Sequence, residues 1–483
     1  MLDNTSTEQT NNKGVYLWKK DSFFCSKNFY LNDKERLNHT YILGKKDSWK
    51  EKTIINLMIQ DIQNGKWICV IDQNWEYSKN LLKFIPKERA RDLIYFDPSE
   101  EERTMWLNLY DINTIDQASD VTELASEMFI KMYWPEIFWP RIQEYFKYGS
   151  LTILEDFDDR PTLLDVVRLF TDDAYRELKV AKVTNAVVRN WWERTYNSMG
   201  DREKAEIIPY FSSKFVSFMT NIKLRHIIGQ TKSAFDFTDV INNNKILLIN
   251  LAKNKIGEMG DYILWTILSY KLKIALAKGT KNHNSFNCYI NNFQNYLWAP
   301  YEERFNKASN NNVAFTLIQD FTEQNSQKDF KKNLLDIINN TWNIFIFNTF
   351  THDAEFFEKE VSKNFNEKTI ENLKENQFIF KSKALKKPIK INGYKKYFAP
   401  SIEDIVPLLQ EYCSKKYGRN NIYIEAEQCI KFWLDVEIKE IKNEKWEKIE
   451  ELIYKEKNNK KIKKINGKEI KETTSKKTKK TTK

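Results

Sequence analysis

The residues best placed to do chemistry lie in the run Tyr41-Ile42-Leu43-Gly44-Lys45-Lys46-Asp47-Ser48-Trp49-Lys50-Glu51. The spacing of Gly44 and Lys50 matches G-x-x-x-x-G-K-[S/T], a loop that cradles phosphates. Such a loop follows a buried strand and opens a helix. Its backbone N–H groups wrap the phosphates, its Lys reaches them, and its final hydroxyl holds Mg²⁺. Tyr41 to Leu43 supply the strand, and Ile55, Leu57, Met58 and Ile62 recur at helical spacing from near Lys52 onward. The reactive groups are missing. Trp49 stands in the second glycine position, where a side chain obstructs the approach of backbone to phosphate. Glu51 stands where Mg²⁺ needs a hydroxyl, and Asp47 adds another carboxylate. The positive end of the helix therefore meets its own acids rather than an anion. Gly44, Lys45, Lys50 and Glu51 read as a vestigial site, with Lys50 expected to pair with a carboxylate or face solvent.

A loop of this kind needs a sheet to hold it. Trp67 to Asp72 is a continuous apolar run ending in a carboxylate, and Leu93 to Asp97 followed by Pro98 is another. Strand, helix, strand, helix, strand is the signature of a doubly wound sheet. It resumes at Lys245–Asn250, Asn287–Ile290, Val313–Leu317 and Asn343–Phe347, with a long helix expected over Tyr262–Ala277. Between Asp116 and about Ile228 the pattern is helical throughout, and Asp159-Arg160-Pro161-Thr162 marks a helix start before Leu163. Trp134, Trp139, Trp191 and Trp192 are expected to pack this all-α unit. Asp72 would sit at a strand's C-terminal end, the edge where ligands bind, yet it serves equally as a cap for the next helix.

Composition limits the alternatives. With 31 Phe, 23 Tyr and 14 Trp among 483 residues the chain can bury a sizeable core. Only 12 Gly are available, few from which to build glycine-lined loops. The net charge is +10, and Lys457 to Lys483 carries twelve Lys against Glu469 and Glu472, so the remainder is formally neutral. The basic signal belongs to a low-complexity tail, read as solvated and disordered, with electrostatic contact to DNA or anionic lipid as its functional alternative. Five scattered Cys and four dispersed His offer no metal-ligand spacing or triad, and fit a reducing compartment. The start of the chain resembles no targeting segment, and no apolar run reaches membrane-spanning length.

With these elements placed, the sequence resembles the TraG/TraD-type coupling ATPases of conjugative DNA transfer and type IV secretion, in the HerA–FtsK branch of RecA-like motors. The resemblance runs from about Gly14 to Tyr397. It rests on Ile71-Asp72, Ile94 to Pro98, Ile228-Gly229-Gln230 with Phe235 to Phe237, Lys245 to Leu251 through Glu258, Phe293-Gln294-Asn295, and Asp353 to Glu355 with Glu358 to Glu360. It implies an α/β fold: a mostly parallel RecA-like P-loop NTPase sheet with helices on both faces and an all-α insertion domain. The implied division is an N-terminal arm over 1–38, a nucleotide-binding-type domain over 39–112 and 229–400, and the insertion over 113–228. A C-terminal helical segment would follow over 401–455, then the tail over 456–483. The departures fall where the family does its chemistry. Asn291 and Asn292 occupy the two acidic Walker B slots, and an amide can act neither as a base nor as a charged Mg²⁺ ligand. Lys307 to Asn310 and Asn348 occupy the positions of two family arginines, and Ile318-Gln319-Asp320 replaces a sensor-like Ala-His-Gln. The resemblance thus implies a pseudo-ATPase, with Asp72, Asn291, Asn292 and Gln294 completing the vestigial site. No cofactor is expected, ATP with Mg²⁺ being the one the frame would take. The implied partners are active paralogous ATPase subunits or other secretion and conjugation proteins, with DNA as a candidate for the tail. The implied location is cytoplasmic, at the periphery of an inner-membrane secretion complex. An ATP-binding sensor without hydrolysis and a nucleic-acid-binding accessory protein acting through its basic tail are the alternatives.

Overall fold

A computed structural model describes residues 14–22, 25–279, 285–293, 305, 308–320, 328–360, 365–393 and 404–432. The expectations for Gln294, for the lysine tail and for much of 394–455 lie outside them. The chain divides into two compact units. The first comprises Met1–Glu100 and Met105–Gly418, and the second Glu101–Thr104 with the chain from Arg419.

The first unit is organised by a nine-stranded sheet of order β12-β11-β10-β3-β9-β8-β4-β7-β5. Its strands are β3 (Thr40–Leu43), β4 (Trp67–Asp72), β5 (Leu93–Phe96), β7 (Ile246–Asn250), β8 (Phe286–Asn291), β9 (Val313–Gln319), β10 (Asn343–Ile346), β11 (Gln377–Ser382) and β12 (Ile389–Asn392). From β10 to β5 every neighbouring pair is parallel. Each of these strands is buried along its whole length, as a sheet covered on both faces requires. The β11 and β12 strands add antiparallel at one edge. They escaped the sequence reading because their apolar runs are short and broken by lysine. Ahead of the sheet, β1 (Gly14–Ser22) and β2 (Cys25–Asn32) form an antiparallel hairpin, and α1 (Asp33–Arg36) follows.

After β3 the chain enters α2 (Lys50–Gln63), which ends at Asn64 with Gly65 in a left-handed conformation, a glycine stop. Arg36 is tied beneath this helix: its guanidinium makes two bonds, of 2.6 and 2.8 Å, to the Asp61 carboxylate and one of 2.7 Å to the Tyr289 hydroxyl. Both charges are buried and matched, so neither is left without a partner in low dielectric. A short α3 (Ser78–Leu81) follows β4.

From Gln117 to Asn242 every element is helical. The helix at Leu163–Thr171 starts at Thr162 through a capping box with Asp165, where the Asp159–Thr162 signal places it. Trp191 and Trp192 are buried against the Tyr145 and Phe170 rings at 5.3 and 5.6 Å. Trp139 departs from expectation: it is 37% exposed, because it sits at the N-cap of the next helix rather than on its inward face. The long helix spans Lys253–Lys278, kinked at Gly257. In the second unit, β6 (Arg103–Thr104) pairs with β13 (Arg419–Asn420), and a helix covers Asn421–Phe432.

His39, just ahead of β3, is buried at 2% exposure and turns the chain through a left-handed residue. Its Nδ1 accepts from the Phe315 N–H at 3.0 Å, so the ring proton resides on Nε2 and is donated to the Phe305 carbonyl at 3.0 Å. Burial pushes its pKa down to about 4 from the ordinary 6.5, against the pull of the Phe305 bond. A group more basic when unfolded contributes stability that is complete above pH 6.5 and is lost as pH falls from there toward 4. The sum over that window is about 3–4 kcal/mol, at about 1.4 kcal/mol per pH unit. Denaturant unfolding at a series of pH values should therefore show His39→Gln with a shallower acid loss than the parent chain. Parallel pH profiles would contradict this.

Candidate functional site

The C-terminal ends of β3, β9, β8, β4 and β7 lie side by side, since these five neighbours are parallel. Each described candidate residue is delivered by one of those ends, where crossover loops of an α/β sheet gather their ligands.

The loop after β3 is anchored at its base. The Gly44 N–H donates to the Gln319 carbonyl at 3.2 Å and the Lys45 N–H to the Asn348 carbonyl at 2.9 Å. A Cβ on Gly44 would lie 2.5 Å from the Phe347 Cβ and 2.8 Å from the Ser48 hydroxyl, so only glycine fits. Asp47 and Trp49 then adopt left-handed φ values of 64° and 68°. Each costs roughly 1–2 kcal/mol without glycine's freedom. The second glycine of the motif is gone, yet Trp49 in its place holds a conformation that favours glycine. The Trp49 ring lies under the Lys52 ammonium, 3.6 Å from the ring centroid.

Lys50 opens α2 and is fully buried. Its ammonium donates to the Asp320 carboxylate, lies 3.4 Å from the Gln319 carbonyl, and has Glu51 at 3.6 Å. Of the two outcomes expected for Lys50, pairing is the one observed, and solvent plays no part. Lys45 is half-buried, with its ammonium 5.8 Å above the Phe350 ring and away from these acids. The more exposed Lys46 lies 4.0 Å from Glu76.

Asp72 ends β4, fully buried. Its Oδ2 accepts from the N–H groups of Tyr77 and Ser78 at 2.8 and 3.1 Å and from the Ser78 hydroxyl at 3.2 Å. The capping role is thus the one the geometry realises. Burial raises its pKa while these bonds and that of Asn291 draw it back. Asn291 ends β8; its amide Nδ2 donates to Asp72 at 3.3 Å and to Glu76 at 2.9 Å, bridging two carboxylates, and its Oδ1 is buried without a partner. Burial also raises the Glu76 pKa, eased by Asn291 and worsened by the nearby Asp320 and Asp72. Asn292 turns the chain out of the strand with φ 52°. Asn348, at one arginine position, donates to the Glu371 and Leu373 carbonyls at 2.6 and 3.1 Å.

The structure thus gathers Gly44, Lys50, Glu51, Asp72, Asn291 and Asn292 on one edge and adds two acids the sequence reading did not place in the site, Glu76 and Asp320. Asp320 already stood out within the departure at Ile318-Gln319-Asp320, which was the signal available. Among the described residues, no group of three or more His, Cys, Asp or Glu is arranged to hold a metal ion.

The Asp72 cap carries a measurable load. Asp72→Ala leaves two buried N–H donors unmatched and should cost about 2–3 kcal/mol of unfolding free energy. Asp72→Asn keeps an acceptor and should cost less than half of that. Equal losses in chemical denaturation would contradict the capping role.

No family model matches the sequence, and no curated protein matches it. Comparison of folds is more informative. The plasmid coupling protein TrwB, in complex with the GTP analogue GDPNP, superposes with a TM-score of 0.54 at 13% identity, over 77% of this chain and 88% of TrwB. TrwB with ADP and Mg²⁺ gives 0.53 at 12%, over 76% and 88%. VirB4 of Thermoanaerobacter pseudethanolicus gives 0.52 at 12%, over 80% and 98%. Among the described residues, no helix is long and apolar enough to cross a membrane. The sheet order, the loop after β3 and these superpositions together give the chain the RecA-like P-loop fold shared by conjugative coupling proteins and VirB4.

Proposed function

We propose that this chain is a pseudo-ATPase: a non-hydrolysing subunit or scaffold of a DNA-transfer or secretion assembly, built on the frame of a coupling ATPase. The observation that carries this reading is Asn291. In an enzyme of this fold a carboxylate at the end of that strand helps hold Mg²⁺ or orient the attacking water. Here an amide stands there, and both of its N–H groups are spent on Asp72 and Glu76. It has no charge to offer a metal and no lone pair basic enough to take a proton.

The residues present also fit a Mg²⁺-nucleotide poorly. Phosphoryl transfer relies on cations gathered around the phosphates. The Lys50 ammonium faces Asp320 and Glu51, and Glu76 adds a third carboxylate near the same edge. Glu51 replaces the hydroxyl, and Asn348 is committed to the backbone. Partners are therefore proposed on the frame alone: active subunits of similar fold, or other components of the assembly.

Restoring the two acids tests the reading. Asn291→Asp places a third carboxylate against Asp72 and Glu76, so the Asn291→Asp, Asn292→Glu variant should lose about 2 kcal/mol or more of stability. It should show no ATP turnover above the parent chain in a phosphate-release assay. Turnover by the variant alone would show that only the Walker B acids were lacking, whereas turnover by the parent chain would overturn the proposal.

A further inference from the structure

We propose that Asp320 is a built-in substitute for a phosphate, and the residue that makes this pocket reject free anions. This rests on the pseudo-ATPase reading and assigns its anion exclusion to one side chain. Three observations converge. First, Lys50 is fully buried, and its ammonium is satisfied by the Asp320 carboxylate, which is delivered from the end of β9, the strand beside β3. A buried ammonium needs an anionic partner, and in a phosphate-binding loop that partner comes with the ligand. Second, the loop retains the shape of an anion cradle. Gly44 is too crowded for any side chain, Asp47 and Trp49 hold left-handed turns without glycine, and the 14-residue helix α2 starts at Lys50. Third, the Ser48 hydroxyl is buried in the same loop without a hydrogen-bond partner. A cradle with strained turns and an unmatched hydroxyl persists only where surrounding contacts over-determine it.

Asp320 supplies that contact. Its side chain is 21% exposed while Lys50 is wholly covered, so the carboxylate lies between the ammonium and solvent. A phosphate arriving from solvent would have to displace it, and would meet Glu51 and Glu76 as well. The loop is thereby held closed on an internal anion, with no dependence on a bound one.

The test is thermal unfolding of the full chain with and without millimolar pyrophosphate, for the parent, Asp320→Ala, Asp320→Asn and the Lys50→Met, Asp320→Ala double variant. The parent should show no pyrophosphate-dependent shift beyond that of the double variant, which controls for anions gathered by the lysine-rich tail. Asp320→Ala should melt lower by roughly 5 °C or more, and pyrophosphate should restore at least half of the loss. Asp320→Asn keeps the volume, so it should melt lower with weaker rescue, and it reports on the pocket if the Ala variant does not fold. Either a stabilisation of the parent matching that of Asp320→Ala, or single variants that pyrophosphate does not rescue, would overturn the assignment. ATP turnover by the parent chain would instead overturn the pseudo-ATPase reading, so the two failures are distinct.

Discussion

A lysine ammonium with no exposure to water is a demanding group to build into a fold. Taking it out of water costs several kcal/mol unless a negative partner is fixed beside it. In a phosphate-binding loop that partner is brought by a ligand, and the loop's order then depends on the ligand. Here Lys50 has its partner in the same chain, at the end of the neighbouring strand. Much else follows from that constraint. The loop can keep two left-handed residues that are not glycine, because the ion pair and the anchors at Gly44 and Lys45 hold its ends. The Lys50 side chain at the helix start is buried instead of being held out to receive an anion.

The same principle runs along the rest of the edge. Asp72, Glu76, Asp97, Asn250, Asn291 and Asp320 are brought together because five parallel strands end in line there. In a catalytic site such polar groups would be held apart and ready for substrate. Here they are bonded to one another and to the chain: Asp72 to the start of α3, Asn291 to Asp72 and Glu76, and Asp97 to the Trp75 indole and the Asn250 amide. Most of the hydrogen bonds that a ligand would satisfy are satisfied internally, the Asn291 Oδ1 and the Ser48 hydroxyl excepted. The proposed loss of hydrolysis and the proposed rejection of anions are two aspects of this one arrangement.

Much of the frame was legible in the sequence, for a physical reason. Parallel strands covered on both faces are continuous apolar runs, so Trp67–Asp72, Lys245–Asn250 and Val313–Leu317 stood out and proved to be members of one sheet. The Gly65 stop and the Thr162 cap were legible because helix ends use few residue types. The antiparallel edge was not: β11 has an apolar run of only three residues and β12 of one residue between polar neighbours, so neither carries a distinctive pattern. At the site, spacing alone identified the loop and showed which groups it lacked. It could not identify Asp320 as the partner of Lys50, because that contact joins residues 270 positions apart and exists only once β3 and β9 are paired. Nor could it decide between two roles for Asp72, which depended on whether the N–H groups of Tyr77 and Ser78 turned back toward the strand end.

The central claim is that the chain satisfies its own phosphate site and therefore has no use for a nucleotide there. Equilibrium binding of a fluorescent ATP analogue to the purified full chain, with and without Mg²⁺, tests it most directly. The account predicts no saturable binding at high micromolar nucleotide, in either condition. Saturable, Mg²⁺-dependent binding that unlabelled ATP displaces would contradict it, because the Lys50–Asp320 pair would then have to open for a phosphate.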